Sequence, residues 1–168
     1  MDLQVQRLSL GHMFQIILYQ PEIPPNTGNI IRLAANTGSK LHLIEPLGFT
    51  MEDKLMRRAG LDYHEYAQVQ RHPDWDTFLS TQNPDRSRLF ALSTKGSSYV
   101  HESRFMVGDW LLFGQETSGL PPHIRAQFDR AHLLRLKMID GQRSLNLSNT
   151  VAIVLYEAWR QQGFSGAV

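Results

Sequence analysis

The chain contains no cysteine. That removes disulfides, thiolate-bound zinc, iron–sulfur clusters and a thiol nucleophile together, and it fits a reducing compartment. No apolar run approaches the roughly 18 residues that a membrane span requires. No basic segment followed by an apolar core opens the sequence, so no secretory leader is expected and the cytoplasm is the expected compartment. An excess of charge is also missing: 17 Lys and Arg stand against 16 Asp and Glu, a formal net charge of +1. Such a chain has no global electrostatic footprint for a polyanion. A nucleic-acid partner must be met by a local basic patch or by more than one subunit.

The common glycine fingerprints are missing too. The first strand-like run is not followed by G-x-G-x-x-G, and its loop carries Pro21, Pro24 and Pro25 where a phosphate cradle needs glycines. No P-loop, G-x-S-x-G or H-E-x-x-H occurs. The seven histidines include only the isolated pairs His64-Glu65 and His101-Glu102, so no metal site is expected.

What is present suits one compact domain. The 168 residues are 42% hydrophobic and 20% charged, enough to bury a core without metal or disulfide. Residues 1–12 differ from the rest, and His12-Met13 resembles a cloning junction, so 1–12 are read as a tag or N-terminal extension and 13–168 as the domain. Short apolar runs at Phe14–Tyr19, Leu41–Ile44, Leu89–Leu92, Trp110–Phe113 and Leu133–Leu136 read as strands, with a further candidate at Tyr66–Val69. Between them lie helical patterns. Asn26 is placed as the cap of a helix whose inner face is Ile30, Leu33, Ala34 and Thr37, closed by Gly38. Glu52 to Arg58 is acidic first and basic last, as a helix dipole favours. Pro73 starts a helix with Trp75, Phe78 and Leu79, Pro121-Pro122 opens a short one, and Leu147, Val151, Leu155 and Ala158 mark a long C-terminal helix ending near Gly163. The alternation predicts an α/β fold on a mainly parallel sheet. Ligands then bind at the carboxyl ends of strands, in the loops after Leu92, Phe113 and Leu136.

Three segments are odd for a plain core. Asn26 to Arg32 mixes amides, a glycine and an arginine at a helix mouth. Leu112 to Pro121 is a polar loop with Gly114 and Gly119 near its ends, which lets backbone approach a ligand closely, and Glu116 within it can accept from a ligand or neutralise a cation. Arg143 to Asn149 holds Ser144, Asn146, Ser148 and Asn149, more polar groups than one helix cap needs.

Together these segments resemble the three motifs of the SPOUT (trefoil-knot) class of RNA 2′-O-methyltransferases, most closely the small bacterial YibK-like group that modifies the tRNA wobble nucleotide. The resemblance is carried by Tyr19 through Arg32, His42 through Phe49, Arg58 through Glu65 and Tyr156 through Arg160, and it runs from about Met13 to Val168. It implies a single-domain α/β/α fold with a deep C-terminal knot, an exception to the rule of unthreaded chains. It also implies a homodimer with both active sites at the interface, a tRNA substrate, no DNA or membrane partner, and S-adenosyl-L-methionine as donor, released as S-adenosyl-L-homocysteine. The implied reaction is methylation of the ribose 2′-OH of a wobble cytidine or modified uridine, in leucine tRNA. Another RNA position, or a non-catalytic RNA-binding role on the same fold, are the alternative readings.

By the same resemblance the donor-binding positions are Leu92, Thr94, Gly114, Gly119, Leu136, Ser144 and Leu145. The catalytic set is Arg32, Asn26, Glu116, Ser144 and Asn146. A guanidinium is a poor base, so Arg32 is read as a clamp on the phosphate beside the target ribose that also stabilises the developing alkoxide. RNA contacts are expected at Lys54, Arg57, Arg58 and Arg71, although Arg57 and Arg58 equally suit a helix end. Tyr156 and Trp159 are read either as interface or as core aromatics. Gln115 and Lys137 stand where the family commonly has proline.

Overall fold

The computed structural model describes residues 11–52, 54 and 68–168. Seven strands form one sheet: β1 (Gln15–Tyr19), β2 (Lys40–Ile44), β3 (Val69–His72), β4 (Leu89–Leu92), β5 (Ser98–Tyr99), β6 (Trp110–Phe113) and β7 (Leu133–Arg135). Their spatial order is β3-β2-β1-β6-β4-β7-β5, and every strand pairing is parallel. Four described α-helices accompany them: α1 (Pro24–Thr37), α2 (Trp75–Gln82), α3 (Pro122–Arg125) and α4 (Leu147–Gln161).

The alternation of side chains along each strand divides the core into two layers. Ile16, Leu18, Leu41, Leu43, Phe90, Leu92, Leu111 and Phe113 face α1 and α4. Ile17, Tyr19, Ile44, Leu89, Ala91 and Leu112 face α2 and α3 through Trp75, Phe78 and Ile124. These strands are apolar on both sides because helices cover both sides, which is why they read as continuous runs rather than alternating ones. The α/β/α architecture and the parallel sheet expected from sequence are present.

Several local expectations are corrected. Asn26 does not cap α1. The helix begins two residues earlier, at Pro24, with Ile23 as its non-bonding cap. Proline fits the first helical positions, where its missing N–H would have had no partner, and Asn26 is left buried in the first turn. The second helix starts at Trp75, not Pro73, because the Asp74 carboxylate accepts from Thr77 N at 2.7 Å. The third strand is Val69–His72, later than the Tyr66–Val69 run; Tyr66 and Ala67 lie outside the described residues. Gly38 does close α1, at φ +65°. The two-residue β5 was not anticipated: it is polar, and only its pairing with β7 defines it. The Arg58–Glu65 segment and residues 1–10 lie outside the described residues.

One buried polar pair ties β2 to β3. His42 Nδ1 lies 3.0 Å from His72 Nε2, and His42 Nε2 lies 2.8 Å from Gln15 Oε1. The amide oxygen needs a donor, so His42 carries its proton on Nε2 and accepts from His72 Nε2–H. Burial, with His72 beside it, pushes the His42 imidazole down to about 3.

Candidate active site

The strand order reverses beside β1: the chain runs outward through β2 and β3, then returns to the other side of β1 through β4 and β6. Open parallel sheets bind ligands at such a switch point, beyond the carboxyl ends of the strands. Here a cleft of about 530 Å³ opens there, walled by Leu92–Lys95 after β4, Phe113–Leu120 after β6 and residues from Arg135 to Thr150 after β7. These are the three loops that the sequence singled out.

The expected donor-binding residues Leu92, Thr94, Gly114, Gly119, Leu136, Ser144 and Leu145 all line this cleft. Gly114 is required sterically. A Cβ there would come within 2.3 Å of the Gly119 carbonyl carbon and the Leu120 nitrogen. Gly119 itself sits at φ +67°, where an L side chain is strained. The loop doubles back on itself through a Gln115–Gly119 bridge, which brings its backbone close along that wall.

Glu116 lines the cleft, but both its oxygens are engaged. Oε2 accepts from Glu22 N at 2.7 Å, and Oε1 accepts from Ile23 N at 3.0 Å and from Asn26 Nδ2 at 3.4 Å. In return Glu22 accepts from Thr117 N at 3.1 Å and Thr117 Oγ1 at 2.8 Å. Two carboxylates therefore lock the β1–α1 loop to the β6 loop, each through backbone donors of the other segment. Glu116 thus secures the N-terminus of α1, where a negative charge is favoured by the helix dipole.

Asn26 continues the chain of contacts. Its Oδ1 accepts from Asn146 Nδ2 at 3.0 Å. Asn146 caps α4, its own Oδ1 accepting from Ser148 N at 2.9 Å, Ser148 Oγ at 2.7 Å and Asn149 N at 3.4 Å. Part of the polar surplus in Arg143 to Asn149 is thereby accounted for: the Asn146 side chain caps α4 and reaches α1 as well, and Ser144 lines the cleft. Glu116, Asn26 and Asn146 form one line behind the cleft, and neither asparagine is among its lining residues. Arg32 is brought to the exposed face of α1 and also lies outside the lining set.

Of the expected RNA contacts, Lys54 is exposed. Arg71 is ion-paired with Glu45, its Nε donating at 2.7 Å. Arg57 and Arg58 lie outside the described residues. Of the two aromatics, Trp159 is buried and donates to Ser165 O at 3.0 Å, whereas Tyr156 is 44% exposed. The clasp between Glu22 and Thr117 and the cleft cations Lys95, Arg125 and Arg135 were not singled out from sequence. The cations sit among ordinary surface residues, and only the folded sheet gathers them. Among the described residues no group of three or more acidic, histidine or cysteine side chains is arranged to hold a metal. No described helix is long and apolar enough to cross a membrane.

Comparisons with known proteins place this geometry. Residues 13–156 match the model of the SpoU rRNA Methylase family. A tRNA (cytidine(34)-2′-O)-methyltransferase of Polaromonas sp. strain JS666 is 63% identical over 155 residues, covering 92% of this chain and 94% of that protein. The protein of the same name from Escherichia coli K12 is 55% identical over 156 residues, covering 93% and 98%. A solved structure concerned with the 2-OH methylation of C/U34 on tRNA matches with TM-score 0.82 and 44% identity over 91% of this chain and 98% of that one. The SpoU methyltransferase AviRb of Streptomyces viridochromogenes in complex with the cofactor AdoMet matches with TM-score 0.79 and 26% identity, covering 98% of this chain and 66% of that one. The chain belongs to the SpoU rRNA methylase family.

Proposed function

We propose that this protein is a tRNA (cytidine(34)-2′-O)-methyltransferase, moving a methyl group from S-adenosylmethionine to the ribose 2′-OH of a wobble cytidine or modified uridine, in leucine tRNA. The observation that carries the reading is the cleft itself: three glycine- and leucine-bearing turns converge beyond β4, β6 and β7, with the Glu116–Asn26–Asn146 line fixing two of them to α1. The identity to relatives of that name supports the choice of substrate.

The residues present suit the donor. Leu92, Leu136 and Leu145 offer apolar surface for an adenine, while Gly114 and Gly119 expose backbone groups to it. Thr94 and Ser144 add hydroxyls on the wall. When bound, the donor supplies a methyl group on a sulfonium, open to in-line attack. The chain's own part is to hold the ribose hydroxyl against that carbon, a positioning effect that contributes up to roughly 7–11 kcal/mol of barrier reduction. Arg32 clamps the phosphate next to the target ribose and stabilises the alkoxide charge. The hydroxyl proton passes to water or a phosphate oxygen, because a guanidinium does not act as a base near neutral pH. Glu116, Asn26 and Asn146 are positioning residues for α1 and α4, and Ser144 shapes the pocket. No metal takes part.

The same reading has residues 13–168 as the methyltransferase domain after an N-terminal extension, with the C-terminal segment knotted and the protein a homodimer in the cytoplasm. Lys54, Arg57, Arg58 and Arg71 are the RNA contacts of this reading, doubled by the dimer. Incubation with S-adenosylmethionine and tRNA, followed by mass analysis of the nucleosides, tests the proposal. A 2′-O-methylated wobble nucleotide is expected, and its absence from tRNA that the folded protein binds would overturn the reading.

A further inference from the structure

The cleft wall has a charge imbalance that the methyl donor does not account for. Lys95, Arg125 and Arg135 line it, against a single carboxylate, Glu116, whose oxygens are already taken by backbone N–H groups of Glu22 and Ile23. S-adenosylmethionine carries two positive groups, a sulfonium and an ammonium, and one carboxylate. Cations around a donor of net positive charge add repulsion, which a second, anionic partner in the site would relieve.

The imbalance continues over the rim to the edge of the sheet. Tyr99 and Arg135 are register partners across the β5–β7 pair. Lys137 follows Arg135 by two positions and also reaches the ring: the Arg135 guanidinium carbon lies 4.8 Å and Lys137 Nζ 4.7 Å from the Tyr99 ring centroid. Arg135 Nη2 also donates to the Tyr99 hydroxyl at 2.5 Å. One aromatic ring thus gathers two cations that would otherwise repel each other. The His101 ring lies beside Tyr99 with centroids 5.5 Å apart. The nearest acidic group on that turn, Glu102, contacts His101 at 3.6 Å rather than either cation. None of Lys95, Arg125, Arg135 and Lys137 has a carboxylate partner among the described residues.

We propose that the Tyr99–Arg135–Lys137 cluster, continued into the cleft by Lys95 and Arg125, is the track on which the phosphate backbone of the RNA substrate lies as its ribose enters the cleft. The inference rests on the proposed methyltransferase reading and deepens it. It places the RNA surface at the β5–β7 edge rather than solely at Lys54, Arg57, Arg58 and Arg71. A single strand is the form that fits, because a ribose must leave the duplex stack to reach a cleft at the strand ends. The ring assembles the cations and the cations meet phosphates, so the contact is insensitive to base identity and sensitive to salt.

The test uses the full chain, a fluorescent tRNA anticodon stem-loop, and S-adenosylmethionine titrated separately. Lys137→Gln and Tyr99→Ala are each expected to weaken stem-loop binding about five- to tenfold and to lower the salt slope by about 0.7 for each phosphate no longer neutralised. Donor affinity is expected to stay at the parent value, and Lys137→Arg to restore RNA binding. Lys137 is exposed, so its variants test the idea even if Tyr99→Ala loosens the sheet edge. RNA affinity and salt slope within twofold of the parent in both Lys137→Gln and Tyr99→Ala would overturn this inference alone, provided the parent methylates tRNA. A parent that binds neither donor nor stem-loop would overturn the underlying reading, and this inference with it.

Discussion

Glu22 and Glu116 hold each other's loops: the Glu116 carboxylate accepts from the Glu22 amide at 2.7 Å, and the Glu22 carboxylate accepts from the Thr117 amide at 3.1 Å. The contact joins the turn after β1 to the turn after β6, and with it the wall of the cleft to the first turn of α1. Hydrogen bonds to a charged group contribute roughly 1.5–3 kcal/mol each when made. Glu116→Ala leaves two backbone donors unpaired and is expected to lower stability by about 2–3 kcal/mol in urea denaturation and to weaken donor binding. Glu22→Ala, which frees the exposed Thr117, is expected to cost less than half of that. Equal losses in the two variants would show that Glu116 does not carry the clasp.

Arg32→Ala is expected to abolish methylation while leaving S-adenosylmethionine affinity within about twofold of the parent, since Arg32 lies on the exposed face of α1 and outside the cleft lining. Calorimetric titration with the donor and a tRNA methylation assay separate the two effects. Loss of donor binding would contradict a role confined to the RNA phosphate.

Gly114→Ala is expected to remove donor binding, because the added methyl would meet the backbone of Gly119 and Leu120 at 2.3 Å and force the loop open. Gly119→Ala has open space around its Cβ but an unfavourable φ of +67°. It is expected to cost roughly 1–2 kcal/mol of local strain and to retain weakened binding. Titration of both variants with the donor ranks them; the opposite order would mean that backbone conformation, and not close approach, limits the loop.

Stability is expected to fall as the solution is acidified below about pH 6.5. The unfolded chain protonates its histidines there, whereas folded His42, held neutral by burial and by His72, resists protonation down to about 3. Across that interval the unfolded state binds more protons, so its population gains with each step down in pH. By pH 4.5 the loss from this one group is roughly 2–3 kcal/mol. Urea midpoints between pH 7 and 4.5 measure it, and a His42→Gln variant should show a flatter profile above pH 5.

Asp109 is 1% exposed and accepts from Arg88 through both oxygens and from Met106 N at 2.7 Å. Asp109→Ala removes these charge-assisted bonds but leaves Arg88, 30% exposed, able to turn to water, so the expected cost is roughly 1.5–3 kcal/mol. Asp85→Ala, the loss of an exposed cap on a three-residue turn, should cost distinctly less. Thermal denaturation of the two variants distinguishes them.

Most of the strands that sequence revealed are buried on both faces; β7, half-buried, was read from its leucines alone. β1, β2, β4 and β6 are runs of Ile, Leu and Phe because helices cover each side of the sheet. β3 and β5 escaped or slipped because edge strands carry polar residues: Gln70 and Arg71 on one edge, Ser98 and Tyr99 on the other. The three loops of the cleft were legible as polar and glycine-bearing segments placed after strands. The role of Asn26 was not. A capping residue and a buried hydrogen-bonding residue look alike in a sequence, and the two prolines before Asn26 already supply the helix start. Glu116 raised the same difficulty, since a carboxylate in a loop gives no sign that its partners are amides some 90 residues earlier.

The order of strands in the sheet has a consequence for how the protein comes into being. β1 is the first strand translated yet sits inside the sheet, beside the central β6, and the last wall of the cleft comes only with residues 135–150. A nascent chain emerging from the ribosome can close part of the sheet, but it has no pocket until residues 135–150 have been made and seated against α1. Competence for ligand therefore follows the sheet rather than accompanying it, and a chain cut short before Asn146 is expected to be a partly ordered sheet with nothing to hold.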